Sequence, residues 1–288
     1  MKVKTQKSYN MDMIKIDEKL IKDIFPKRDD QAHKGTYHKV LMIGGSKRMH
    51  GALEIASKAA YHSGVGTLTL LIPKSIYLIE ALKSDLMLIN VKSDEDGFMA
   101  YDPKIKEIAN NYDIIAIGNG MGRNEATYMI LKDILSLKKK VIVDADALFH
   151  LSKVKDIRAQ MIMTPHIKEF GYLISKDVKD LDEAQKYLDD YDLKDHVLVL
   201  KSSKTIVATK DERYILDAPT STLAKGGSGD ILCGIISGIL AQGISLKKAA
   251  IIATYVHNRL GHLSDKDPLY VIPDELIALL DKAYQELR

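Results

Sequence analysis

Short runs of Val, Ile and Leu alternate along the chain with longer segments in which apolar residues recur at helical spacing. This is the pattern of a mostly parallel sheet with helices on its faces. The short runs predict buried strands over residues 39–43, 67–72, 113–117, 140–143, 161–163 and 197–200. Two later runs, 205–209 and 213–216, are separated by the polar Lys210, Asp211 and Glu212 and predict an antiparallel hairpin. Helical periodicity covers residues 52–62, 125–137, 182–189, 229–242, 246–263 and 274–287, with Pro273 just ahead of the last. The C-terminal third is therefore mainly helical. No Pro/Ser-rich linker, composition break or internal repeat interrupts the pattern, so a single domain over residues 1–288 is expected.

Composition narrows the functional classes. The 288 residues are 46% hydrophobic and 28% charged, enough to build a core and contrary to a disordered chain. Lys plus Arg number 42 and Asp plus Glu 39, a formal charge of +3, and the charges are interleaved, so nucleic acid is not the expected partner. The one cysteine, Cys233, excludes an internal disulfide, and the first residues hold no apolar stretch like a signal peptide. A cytoplasmic location is expected. The longest apolar run, Ile231 to Ala241, falls short of the roughly 18 to 20 residues that cross a bilayer and reads as a buried helix, so no membrane partner is expected. Tryptophan is absent and aromatics make up 6%, which leaves no base-stacking platform.

The strongest local signal is Leu223-Ala224-Lys225-Gly226-Gly227-Ser228-Gly229-Asp230, which runs directly into the apolar helical segment. Glycines at a helix start let backbone approach a ligand, and the unpaired N–H groups of the first turn attract phosphate. Asp230 would stand beside that phosphate and could take a proton from a substrate hydroxyl, although an isolated Gly-Asp would read as a helix cap. A second glycine turn, Gly118-Asn119-Gly120-Met121-Gly122, lies between a strand and a helix. Its spacing is not the dinucleotide fingerprint, yet Asp144 or Asp146 could supply that motif's distal acid, so a dehydrogenase and a plain tight turn both stand.

Asp144 and Asp146 follow the strand 140–143, where two acids could order a metal or cap a short helix. His166 and Glu169 would share one face of a helix beginning near Pro165 and could touch one ligand. Lys201, Ser202, Ser203, Lys204 and Thr205 join a strand to the hairpin and could contact a phosphate or ribose, or form an ordinary polar turn. Near the N-terminus, His33-Lys34-Gly35-Thr36-Tyr37-His38 precedes a third glycine loop, Gly44-Gly45-Ser46. The chain contains no H-E-x-x-H, P-loop, C-x-x-C or G-x-S-x-G sequence, which withdraws support from zinc hydrolase, P-loop ATPase and serine hydrolase readings.

Taken in order, HKGTYHKVLMIGGS, IGNGMG, VIVDADAL, TPHIKEF, LKSSKT and AKGGSGDILCGIISGILAQG resemble the ADP/ATP-dependent NAD(P)H-hydrate dehydratases of the ribokinase-like superfamily, over roughly residues 33–262. The resemblance implies a three-layer α/β/α sandwich with a mostly parallel central sheet and the late hairpin. It implies a repair lyase that removes water from the S form of hydrated NADH or NADPH, with ADP or ATP as co-substrate. Asp230 would be the catalytic base, the backbone of Gly226, Gly227, Ser228 and Gly229 the anion hole, and Lys201 to Thr205 with Gly229 the nucleotide site. Ala52, Gly120, His166 and Asp230 would face the hydrated cofactor, and Glu169 would hold Mg²⁺ through water. Asn119 stands where the family usually has proline, Ile167-Lys168 where it has Pro-Gly, and Ser202 where it has glycine. The resemblance also implies a homo-oligomer, commonly a tetramer, and a separate protein to convert R to S hydrate. Two competing expectations are a kinase of the same superfamily acting on a vitamin-precursor alcohol and a non-catalytic nucleotide-binding protein.

Overall fold

The computed structural model describes residues 12–27, 29–32, 35–76 and 86–288. Ten strands are found among them: β1 (Met13–Lys15), β2 (Lys39–Ile43), β3 (Thr67–Pro73), β4 (Met87–Val91), β5 (Ile114–Ile117), β6 (Lys140–Val143), β7 (Gln160–Met163), β8 (Val197–Leu200), β9 (Thr205–Ala208) and β10 (Arg213–Leu216). They form one sheet in the order β1-β10-β9-β8-β7-β6-β5-β2-β3-β4. Every pairing is parallel except those of β9, which runs antiparallel to both β8 and β10 and forms the expected hairpin. From β2 the chain steps outward to β3 and β4, whereas β5 to β8 step outward on the other side. The topology therefore reverses between β2 and β5, and open α/β sheets bind ligands in the crevice at the carboxyl ends of strands flanking such a point.

Beyond the polar first residues of β2, β6 and β7, the central strands are apolar because both faces are covered. Along β2, Val40 and Met42 enter one core while Leu41 and Ile43 enter the other; Ile114 and Ala116 of β5 divide from Ile115 and Ile117 in the same way. The helices are α1 (Glu18–Ile24), α2 (His50–His62), α3 (Lys104–Ala109), α4 (Glu125–Leu135), α5 (Ala145–Leu151), α6 (Ile167–Ile174), α7 (Leu181–Asp190), α8 (Ser228–Leu240), α9 (Leu246–Leu263), α10 (Pro273–Ala278) and α11 (Leu280–Gln285). The first core takes its helical residues from α1, α2 and α8 to α11, the second from α3 to α7. The expected three-layer sandwich is what the chain forms.

Differences from the sequence pattern fall at edges and ends. The pattern missed β1, an exposed three-residue strand held by pairing with β10, and β4, a half-exposed strand on the opposite edge. Neither is buried on both faces, so neither carries a continuous apolar run. The short α1 and α3 were missed too. The C-terminal segment expected as one helix is divided at Leu279 into α10 and α11, each with buried apolar residues. The helix expected near Pro165 begins at Ile167, with His166 at its N-cap. His33 and Lys34 lie outside the described residues.

Eleven of the thirteen residues of α8 are buried, which matches an apolar segment enclosed on all sides. It lies against α2, and a Cβ on Gly234 would meet the Ala56 carbonyl oxygen at 2.2 Å. Gly234→Ala therefore lowers the thermal unfolding midpoint, at a cost of about 1–3 kcal/mol from overpacking. Gly51→Ala, at a helical position with open space around it, leaves the midpoint unchanged or raises it.

Candidate functional site

The carboxyl ends of β5, β6, β7 and β8 deliver Asn119, Asp144, Thr164 and Lys201 to one place, and the N-terminal turn of α8 brings Asp230 over them. Asp144 Oδ1 accepts hydrogen bonds from Thr164 Oγ1 at 2.6 Å and Lys201 Nζ at 3.1 Å. Asp144 Oδ2 accepts from Asn119 Nδ2 at 3.0 Å, and the same nitrogen donates to Asp230 Oδ1 at 2.6 Å. Lys201 Nζ also stands 3.9 Å from Glu169 Oε2. Burial works against the Lys201 ammonium, but Asp144 and Glu169 outweigh it and hold its pKa above the ordinary value.

Asp230 has the opposite balance. Burial pushes its carboxyl up to about 7, the charge of Asp144 adds to the rise, and the Asn119 hydrogen bond and Lys201 oppose it. A carboxylate with a pKa near neutrality is suited to take a proton and release it again.

The glycine turns serve different purposes. Gly118 has φ +128°, and a Cβ there would lie 1.8 Å from the Asp144 carbonyl oxygen; a Cβ on Gly122 would strike the Phe98 ring at 2.6 Å. These glycines admit protein, not a ligand, which decides against the dinucleotide-loop reading. Gly226 faces open space, and a Cβ on Gly229 would meet only Lys201 Nζ, at 3.3 Å. Gly227, at φ +90°, occupies the N-cap of α8 and supplies no side chain to cap it. Ser228 N donates to the Lys225 carbonyl at 3.3 Å, and no side chain caps the rest of the turn, so the positive end of the helix dipole is open to an anion.

A cavity of about 870 Å³ opens beside this turn. It brings together Lys201, Ser202, Ser203 and Thr205 with Gly226, Ser228 and Gly229, as the sequence reading expected, and His166 reaches its rim. Lys204 does not line it, because its ammonium is paired with Asp217 at 2.8 Å. Asp230 and Gly227 lie outside that lining as well. Ala52 and Gly120 meet each other, since a Cβ on Gly120 would lie 3.3 Å from that of Ala52, and neither lines the cavity. Asp230 is joined to the Gly118–Gly122 turn through its hydrogen bond with Asn119.

His166 and Glu169 touch each other in a capping box: Glu169 N donates to His166 Nδ1 at 3.2 Å, and His166 N donates to Glu169 Oε2 at 2.9 Å. Burial holds Glu169 above its ordinary pKa, with Lys201 opposing, and burial with Lys201 holds His166 below its own. Glu169 Oε1 stands 3.5 Å from His166 Nε2 and is the oxygen left to reach a water. Among the described residues no group of three or more His, Cys, Asp or Glu is arranged to hold a metal directly. Asp144 and Asp146, open to either a metal or a capping role in the sequence, are engaged separately: Asp146 accepts from Gly122 N at 2.8 Å and Arg123 Nε at 3.2 Å, and the side chain of Asp144, at the N-cap of α5, makes no capping hydrogen bond.

The sequence reading missed the far wall of the cavity. Thr254, His257 and Asn258 come from α9, and Pro219, Thr220, Ser221 and Leu223 from the segment after β10. His257 Nε2 lies 2.9 Å from the Ser228 carbonyl oxygen and 3.0 Å from Ser228 Oγ. A carbonyl only accepts, so the neutral ring donates through Nε2. Burial lowers the pKa of this histidine to about 4 and keeps it neutral. Nothing in the helical pattern of 246–263 separates these residues from core positions.

Comparison with known proteins agrees with this geometry. The NAD(P)H-hydrate dehydratase family matches residues 40–282. A bifunctional NAD(P)H-hydrate repair enzyme of Moorella thermoacetica is 32% identical over 251 residues, 82% of this chain and 47% of that one. The chain spans about half the length of such bifunctional relatives. The ADP-dependent (S)-NAD(P)H-hydrate dehydratase of Staphylococcus aureus is 32% identical over 272 residues, 91% of this chain and 94% of that one. The ADP/ATP-dependent NAD(P)H-hydrate dehydratase of Bacillus subtilis, co-crystallized with ATP/Mg²⁺, superposes with a TM-score of 0.82 at 27% identity, covering 98% of this chain and 100% of that one. A ribokinase-like superfamily protein of Enterococcus faecalis, 23% identical, shares the fold with a TM-score of 0.80 over 95% of this chain and 96% of its own. With a ribokinase-like sheet, an uncapped glycine turn over a nucleotide-sized cavity and a match across most of its length, the chain belongs to the NAD(P)H-hydrate dehydratase family.

Proposed function

We propose that the protein removes water from the S form of hydrated NADH or NADPH, using ADP or ATP as phosphoryl donor. The observation that carries this reading is Asp230: a carboxylate raised to about 7, in the first turn of a helix with no side-chain cap, close to Gly226, which faces open space. The nucleotide lies in the cavity between the Lys201–Thr205 turn and α9, with its terminal phosphate on the backbone of Gly226 to Gly229. The hydrated ring lies towards Ala52 and Gly120, and His166 meets it from the lining of the cavity.

Asp230 takes the proton of the C6 hydroxyl as its oxygen attacks the terminal phosphorus. The bridging P–O bond breaks, and AMP leaves from ADP or ADP from ATP. Phosphate then departs from C6 and a proton from C5, which restores the ring double bond. Hydroxide, a poor leaving group, has been exchanged for phosphate. Lys201 supplies a fixed positive charge between Asp144 and Glu169 beneath the glycine turn. The donor set fits Mg²⁺ held by the nucleotide phosphates and, through water, by Glu169; when bound, the ion neutralises phosphate charge.

Mixing hydrated NADH with ADP or ATP restores the near-ultraviolet absorbance of the dihydronicotinamide; no recovery with either nucleotide, together with a stable phosphorylated product from a vitamin-precursor alcohol, overturns the reading. Asp230→Asn lowers kcat about a hundredfold or more while ADP affinity, measured calorimetrically, stays near that of the parent. Because the ionised carboxylate is the active form, kcat/KM climbs as pH rises through about 7 and levels above it.

A further inference from the structure

We propose that Asn119 is the positioning residue for Asp230, its amide bridging the Asp230 and Asp144 carboxylates so that one oxygen of Asp230 is fixed and the other is left to meet the substrate hydroxyl. The inference rests on the assignment of Asp230 as base. Asn119 is 2% exposed, and each polar atom of its side chain has a partner. Its Nδ2 donates to Asp230 Oδ1 at 2.6 Å and to Asp144 Oδ2 at 3.0 Å, two bonds for the two protons it carries. Its Oδ1 accepts from the Cys233 thiol at 3.3 Å, and burial holds that thiol well above its ordinary pKa, so it remains a donor. The reverse amide orientation would turn a carbonyl oxygen on two carboxylates, which fixes the assignment chemically. The main chain is pinned too: the Asn119 carbonyl accepts from Gly45 N at 2.7 Å, at the end of β2.

Asn119 thus joins the loops after β2 and β5 to the end of β6 and to α8. Among the described residues, Asp230 Oδ2 accepts no hydrogen bond. Without the amide, two carboxylates would face each other with no donor between them, and Asp230 would be free to rotate.

The charges around Asp230 are few. Asp144 and Asp146 disfavour its ionised form and Lys201 favours it; Glu169 stands behind Lys201, and Cys233 is on α8 itself. From α9 only His257 approaches this turn, against Ser228, and it is neutral. On α2, Glu54 and Lys58 pair with each other, and Lys58 also pairs with Asp274 of α10; His50 stands at the first position of α2. A hydrogen bond to the ionised form lowers a carboxyl pKa, so removing the Asn119 amide raises that of Asp230.

Asn119→Ala moves the acid limb of kcat/KM upward by about one to two pH units, the effect of one hydrogen bond to a charged group. At pH 7 the rate falls roughly five- to fiftyfold, and it recovers towards the parent value at alkaline pH. Asn119→Pro is the second variant: the Asn119 N–H makes no hydrogen bond among the described residues, so proline removes the amide without breaking a main-chain bond. Both variants keep the parent affinity for ADP, since Asn119 does not line the cavity. A folded variant of either kind whose acid limb has not moved overturns the proposal. If Asp230→Asn retains full activity, the base assignment itself has failed; if Asp230→Asn is inactive and the limb is unmoved in the Asn119 variants, only the role of Asn119 has failed.

Discussion

A buried carboxylate is tolerated only when it is paired and hydrogen-bonded, and Asp144 meets that condition in a way that fixes everything around it. It is 2% exposed, and its oxygens are satisfied by Thr164 after β7, Lys201 after β8 and Asn119 after β5. One negative charge therefore ties the ends of four strands into a single polar cluster. Burial and that cluster together set the balance at Asp230, where Asp144 disfavours the charged form and Asn119 and Lys201 favour it. The Asp230 carboxyl is held near neutrality by its surroundings and not by any feature of its own.

The second constraint is the setting of α8. Its body is sealed among α2, α9 and the sheet, with Gly234 and Gly238 allowing backbone contact with α2, while its N-terminal turn is left without a side-chain cap. A helix anchored so firmly presents the positive end of its dipole in a fixed position, so a group meeting that turn finds it preorganised. The surrounding cavity is assembled from the glycine turn, the connection after β8 and the face of α9.

Much of this was legible in the residues. The continuous apolar runs gave the central strands to within about a residue, because strands covered on both faces have no wet side to blur the pattern. The run from Lys225 to Asp230 marked the glycine turn at the start of α8, since glycines clustered at a helix start stand out in the residues themselves. The edge strands β1 and β4 escaped, being held by pairing more than by burial. The glycines at 118 and 122 looked like a ligand loop; only the proximity of Asp144 and Phe98 reveals that they accommodate the protein itself. Lys204 looked equivalent to Lys201, and only its pairing with Asp217 separates them.

The sequence by itself determined the layer architecture, the apolar helix and the identity of the acid at its start, because these depend on periodicity and on neighbours within a few positions. Tertiary structure alone decided strand order, the α9 wall of the cavity and the meeting of Asn119, Asp144, Lys201 and Asp230. Those four residues are widely separated along the chain, and a pKa is set by distance and desolvation in space. No local pattern encodes either quantity.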